Sequence, residues 1–336
     1  MKKVALIGAG LQATRRLGPI LEDVECRLVA VVDHNEAKAK RVAGNTGARV
    51  ASDWRAVVRR GDVDLAVVLT YPDSHAEISI EAMRAGCDVL CEKPLARSLD
   101  EARKMNETAH ETSRILKCGF NHRHHPAVLE AKRRVSAGEI GKVVFGRGRY
   151  GIGGRIGIEK EWRSDPAIVG GGQLMEQGIH LIDLLRWLVG EQIEVMGMMS
   201  TARWPIAPLE DNGFVLMRSH EGVISSVHSS TTQWTNLFEL EVYGELGSLA
   251  VQGLGASYGV ENLVASRHDP SAPFSHNTIE YRGADTSWRS EWAEFMRCVR
   301  DRVEPPGSGN DGFRAMQIVC AAYDASRSRR AVRLGA

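Results

Sequence analysis

Val4-Ala5-Leu6-Ile7-Gly8-Ala9-Gly10-Leu11-Gln12-Ala13 is the stretch that decides how this chain reads. Four apolar residues without alternation suit a strand buried on both faces, as in a parallel sheet. The glycines behind them form GxGxxA where a strand hands over to a helix, the context in which this pattern carries information. Glycine lets the backbone turn tightly, and the free N–H groups and positive dipole end of the helix suit a pyrophosphate. Gly8, Gly10, Leu11, Gln12 and Ala13 are therefore candidates to hold a dinucleotide. Asp33 closes the next apolar run, 28–32, and stands 20 residues beyond Ala13. A carboxylate there suits the ribose hydroxyls of NAD and repels the 2′-phosphate of NADP; His34 and Asn35 supply no arginine clamp, so NAD is favoured over NADP. The bland alternative, a tight turn with no ligand, is weakened by Asp33 at this distance.

Working outward, the runs 64–70, 88–90 and 115–120 alternate with amphipathic stretches at 35–43, 74–85 and 98–112. Ser98 and Glu101 have capping-box spacing and mark a helix start. Repeated strand-helix-strand units predict an α/β fold with a doubly wound parallel sheet. After Asn121 the texture changes. A helix over 126–137 precedes a strand at 142–150, a glycine-rich stretch, the triple glycine 170–172 and an apolar helix over 174–189. Strand-like segments at 194–199, 214–218, 223–229, 237–243 and 248–251 predict an antiparallel sheet. Helices over 288–300 and 312–327 close the chain. The expected domains are 1–121 for the dinucleotide and 122–336 for substrate and subunit contacts, with the final helix a candidate to pack back on the first.

At 336 residues the chain suits about two domains. Forty-three Lys and Arg against 42 Asp and Glu leave +1, which argues against a nucleic-acid partner. The first apolar run is too short for a signal-peptide core or a membrane span. Six cysteines without a CxxC pair favour neither zinc nor a disulfide framework, and a reducing cytoplasm is the default expectation.

Two elements carry chemistry. Cys91-Glu92-Lys93-Pro94 follows the run at 88–90, and ligands sit at the carboxyl ends of parallel strands. Lys93 there suits polarisation of a substrate oxygen; the alternative is a loop salt bridge between Glu92 and Lys93. Glu176, His180 and Asp183 are spaced i, i+4, i+7, which places them on one face of an α-helix. His180 suits removal of a hydroxyl proton, with Glu176 orienting the imidazole or a substrate hydroxyl and Asp183 supporting from behind. A hydrogen-bonded core histidine competes with this reading. A metal site is weaker, because nothing nearby completes a ligand set, and the adjacency of His122, His124 and His125 reads as accidental.

Together with GAGLQA at 8–13, Asp33, Thr70 with His75, AGCDVLCEKPLA at 85–96, GFNHR at 119–123 and GGGQLMEQGIHLIDLLRWL at 170–188, these elements resemble the Gfo/Idh/MocA oxidoreductase family. The resemblance implies an N-terminal Rossmann domain and a C-terminal α/β domain whose large open antiparallel sheet serves a homodimer or homotetramer. It implies NAD(P)-dependent oxidation or reduction at a secondary alcohol or ketone of a small carbohydrate: a sugar, sugar nucleotide or cyclitol. Lys93 corresponds to the family's active-site lysine and His180 to its catalytic histidine, while Glu176 stands where the family usually has aspartate. Tyr71-Pro72 replaces the usual proline-asparagine. Thr70, His75, Glu92, Lys93 and Asn121 are expected near the cofactor. Arg123, Trp162 and Arg163 are expected near substrate, with a surface loop as the alternative for Asn121 and Arg123 and packing favoured for Trp162. Trp234 and Tyr258 read as core or interface. A non-catalytic NAD-binding sensor of the same fold is the rival from another class; dihydrodiol and biliverdin-type reductases give no reason for the Glu176 and His180 face.

Overall fold

The structure, a computed structural model, describes residues 1–273 and 275–335. It divides into two compact units, 1–121 with 288–313, and 122–287 with 314 onward. The first unit is built on β1 (Lys2–Ile7), β2 (Cys26–Val32), β3 (Arg49–Ala51), β4 (Leu65–Val68), β5 (Asp88–Glu92) and β6 (Leu116–Gly119). All pair in parallel in the order β3-β2-β1-β4-β5-β6, so the predicted doubly wound sheet is present. The order reverses between β1 and β4, and the crevice at the carboxyl ends there is where such sheets take ligands. The connecting helices are α1 (Leu11–Glu22), α2 (Glu36–Ala43), α3 (Trp54–Val58), α4 (Pro72–Arg84) and α5 (Leu99–Thr112). The capping box read at Ser98 and Glu101 is formed at the start of α5. Strand β3 and helix α3 escape the sequence reading, because three to five residues carry no period to recognise.

The second unit contains α6 (Pro126–Ser136), α7 (Pro166–Val169), α8 (Ile179–Val189) and most of a nine-stranded sheet: β7 (Val143–Gly153), β8 (Gln192–Ser200), β9 (Asn212–Ser219), β10 (Ile224–Ser230), β11 (Thr232–Gly244), β12 (Gly247–Gln252), β13 (Glu261–Arg267) and β14 (His276–Tyr281). The chain then forms α9 (Ser287–Asp301), α10 (Gly309–Ser328) and β15 (Val332–Arg333), the last on the sheet edge beside β8. The order is β14-β13-β12-β11-β7-β10-β9-β8-β15. One correction concerns direction: β7 and β10 run parallel, so the sheet is mixed. Both strands alternate buried and exposed positions, a pattern that does not encode direction. Leucines of α8 seat on the inner face of β7, where a Cβ on Gly148 would lie 2.7 Å from Leu181.

Most of α9 belongs to the first unit. Trp292, Phe295, Met296 and Val299 join the apolar core formed by β1, β2 and α1, and Arg302 just beyond the helix bonds Asp88. Among the described residues no helix is long and apolar enough to cross a membrane.

Candidate active site

In the first unit, Gly8 has φ +101°, and a Cβ there would sit 2.7 Å from the carbonyl carbon and oxygen of Leu69. Only glycine brings β1 this close to the end of β4. Gly10 differs: a Cβ would meet no protein atom within 4 Å. Its bareness leaves room for something other than protein, and no side chain caps α1 behind it. The helix N-terminus is thus open to an anion. Beside it Gln12 Oε1 is buried without a partner. A cavity of about 290 Å³ adjoins this turn, lined among others by Gly8, Gly10, Asp33, Trp54, Thr70 and Ser74. These features fit a dinucleotide. Asp33 accepts hydrogen bonds from the N–H groups of Ala9 and Asn35, each at 2.8 Å, so the carboxylate also holds the glycine turn.

His75 and Glu92 act on the framework around this site. The His75 ring is buried, with Nδ1 2.9 Å from the Pro94 carbonyl oxygen and Nε2 3.1 Å from that of Thr70. Burial pulls its pKa below the ordinary value against those two bonds, and a neutral ring donates to one carbonyl at a time. His75 thus sits between the Thr70 turn and the loop carrying Lys93, with one N–H to share between them. Glu92, buried at the end of β5, accepts from Arg16 Nε at 2.6 Å. Arg16 also donates to Glu291 of α9 at 2.8 Å, and Lys117 lies 3.8 Å from Glu291. This buried network joins α1, β5, β6 and α9; Arg16 carried no signal in the sequence beyond its charge.

In the second unit, the helix expected over 174–189 begins as a π turn, Leu174–Gly178, and becomes α-helical only at Ile179. The one-face argument therefore applies to His180 and Asp183, while Glu176 lies within the π turn; such turns are common at functional sites. Glu210 fixes the start of this segment by accepting from the N–H groups of Gly172 and Leu174 and from the Tyr323 hydroxyl, at 3.0, 2.9 and 2.8 Å. Buried His180 stacks on His122, with ring centroids 3.7 Å apart, and His122 Nε2 lies 3.1 Å from the Tyr150 hydroxyl. The neighbouring residue, Arg123, grips Asp183 with two bonds of 2.7 and 2.5 Å, and its side chain is buried. The histidines are thus not idle neighbours: His122 meets His180, while His125 bonds Glu261 at 2.8 Å. Arg163 Nε donates to Glu176 at 2.5 Å, and its guanidinium lies 4.4 Å from the Trp162 ring. Among the described residues no group of three or more His, Cys, Asp or Glu has the geometry to hold a metal. Asn121 is buried at the start of the turn that His122 and Arg123 continue.

Residues 2–120 match the family model described as an oxidoreductase family with an NAD-binding Rossmann fold, and 128–250 match that of the GFO/IDH/MocA C-terminal domain. Levoglucosan dehydrogenase of Pseudarthrobacter phenanthrenivorans is 36% identical over 165 residues, 48% of this chain and 42% of that one. Inositol 2-dehydrogenase of Rubrobacter xylanophilus is 32% identical over 72% of this chain and 68% of its own. Levoglucosan dehydrogenase in complex with NADH and levoglucosan superposes with TM-score 0.89 over 99% of both chains at 23% identity, a likeness of fold. The chain belongs to the Gfo/Idh/MocA family and is an NAD(P)-dependent oxidoreductase acting on CH–OH groups, with an NAD-binding Rossmann domain.

Proposed function

We propose that this enzyme oxidises a secondary alcohol of a sugar, sugar nucleotide or cyclitol, or reduces the matching ketone, with His180 as proton acceptor and donor and Lys93 polarising the substrate oxygen. NAD, when bound, supplies the nicotinamide that accepts or returns the hydride. Gly8, Gly10, Leu11, Gln12, Ala13 and Asp33 hold it, with Thr70, Lys93 and Asn121 toward the nicotinamide and His75 and Glu92 fixing the loops around them.

The observation that carries the reading is the face-to-face contact of His180 and His122 at 3.7 Å. The contact holds the His180 ring in place, and imidazole is the side chain suited to taking a hydroxyl proton and giving it back. Lys93 stabilises the developing alkoxide charge, a contribution that grows where water is scarce. Trp162, Arg163 and Glu176 offer a ring face, donors and acceptors to a polyhydroxylated substrate. Arg123 supports the site by anchoring Asp183, three residues along the helix from His180. A non-catalytic sensor is not favoured, since the relatives matched are named as dehydrogenases.

The outer face of the second sheet carries exposed Met196, Met198, Phe214 and Leu216, which supports a homodimer or homotetramer through that face. Nicotinamide absorbance followed across sugars, sugar nucleotides, sugar acids and inositols, with NAD and with NADP, tests the reaction. Turnover of a polyol is expected, faster with NAD. No cofactor reduction with any of these compounds contradicts the reading, and a strong NADP preference contradicts the role given to Asp33.

A further inference from the structure

We propose that the substrate is electrically neutral, an uncharged sugar or cyclitol rather than a sugar acid, sugar phosphate or sugar nucleotide, and that the Arg163–Glu176 ion pair enforces this choice. The inference rests on the functional reading above and narrows it.

The argument starts from the two arginines that the sequence nominates for substrate. Lys93 is engaged at the oxygen that reacts, so a carboxylate or phosphate elsewhere on the substrate calls for a second cation with charge to give, and guanidinium is the side chain best shaped for it. Both guanidinium groups are already committed. Arg123 holds both oxygens of Asp183, with the two side chains 4% and 1% exposed. Releasing that arginine leaves a buried carboxylate with less compensation, a costly change. Arg163 is more accessible, its side chain 37% exposed and that of Glu176 33%, yet its Nε is bound to Glu176 at 2.5 Å.

The consequence differs for charged and neutral ligands. An anion approaching Arg163 meets the Glu176 carboxylate bound to the same guanidinium. It must either share the cation with a like charge or displace Glu176 into its own neighbourhood, and like-charge juxtaposition is unfavourable. A neutral polyol meets no such opposition. Its hydroxyls can donate to Glu176 and accept from Arg163 without asking either group to give up its charge partner. The rest of the segment adds neutral hydrogen-bonding groups: the Gln173 amide reaches Gln177, and the Gln177 amide reaches the Tyr258 hydroxyl at 3.4 Å. Rejection of the wrong charge by a fixed like charge is a direct way to obtain specificity.

The test compares matched substrates on the full-length enzyme with NAD. Neutral hexoses and inositols are run beside the corresponding hexuronates, hexose phosphates and nucleotide-linked hexoses, in wild type and in Glu176→Gln. Wild type is expected to favour the neutral member of each pair in kcat/KM by about 100-fold or more. Glu176→Gln keeps size and hydrogen bonding but frees the Arg163 charge, and is expected to cut that preference about tenfold, through a lower KM for the anion. If the variant turns over too slowly, calorimetric dissociation constants for the hexuronate give the same comparison: tighter binding to Glu176→Gln supports the inference and equal binding overturns it. Wild-type preference for the anionic member, or an unchanged preference in the variant, also overturns it while leaving the oxidoreductase reading standing. Cofactor reduction with neither member overturns both.

Discussion

The imidazoles of His122 and His180 lie face to face, with ring centroids 3.7 Å apart and planes 19° from parallel. His122 thus limits how the His180 ring can turn. An aromatic pair contributes about 0.5–1.5 kcal/mol, so His122→Ala is expected to lower kcat about 2- to 10-fold with NAD affinity unchanged. His122→Phe keeps the face and should recover most of the loss, although it gives up the bond to Tyr150. Steady-state kinetics with a fluorescence titration of NADH separates the cases. Equal impairment of the two variants would show that stacking is not what matters.

Glu291 lies in the interior beside Arg16 and Lys117. Removing one member of a buried ionic group costs about 3–5 kcal/mol, because the remaining charges lose compensation. Glu291→Ala is expected to show this loss in urea unfolding, and Glu291→Gln a smaller one because it keeps a hydrogen-bond acceptor. A Glu291→Ala variant as stable as wild type would mean that the network contributes nothing net.

Adjacent carboxylates Glu210 and Asp211 shift in opposite directions. Burial pushes Glu210 up, outweighing its hydrogen bonds to Leu174, Tyr323 and Gly172. Burial also pushes Asp211 up, but N–H groups of Ala202, Trp204 and Arg203 and the Asn212 amide outweigh it and hold it below the ordinary value. With the folded-state value of Asp211 depressed, the unfolded chain binds more protons as pH falls. Its contribution is therefore complete above the unfolded value of about 3.9 and disappears as pH drops through the folded one. Asp211→Asn should lose about 1–3 kcal/mol at pH 7, with the gap to wild type closing below about pH 4. Urea unfolding at a series of pH values checks the sign; a gap that widens toward acid contradicts it.

Asp33 serves the glycine turn through Ala9 as well as any ribose. Asp33→Ser is expected to raise KM for NAD about 10- to 100-fold, the range for hydrogen bonds to a charged group, and to improve NADP relative to NAD. Kinetics with the two cofactors decides. Unchanged discrimination in the variant would place cofactor choice elsewhere, for example at Lys38 or Ser52, which line the same cavity.

What the sequence disclosed follows how local each constraint is. Gly8, Gly10 and Asp33 are readable because a tight turn and a strand end set their spacing within one strand-helix-strand unit, and Ser98 with Glu101 caps its helix from three residues away. Contacts between distant segments leave no such trace. His122 and His125 read as chance neighbours in sequence because their partners, His180 and Glu261, come from other elements. Arg123 looked available to substrate because nothing in its own segment announces Asp183. The π turn at Leu174–Gly178 is invisible because the apolar pattern suits an α-helix equally well. Strands β13, β14 and β15, the last two at the sheet edges, escape the reading because their half-exposed segments mix polar and apolar residues.

The central claim is that His180 takes the hydroxyl proton while hydride passes to NAD from the carbon that bears that hydroxyl. The direct measurement is pre-steady-state NADH formation from a polyol that the wild type oxidises, in wild type and His180→Ala, with NAD affinity determined in parallel. The account predicts a rate lower by about 10²- to 10⁴-fold in the variant with NAD bound as tightly as before. An undiminished rate in His180→Ala would contradict it.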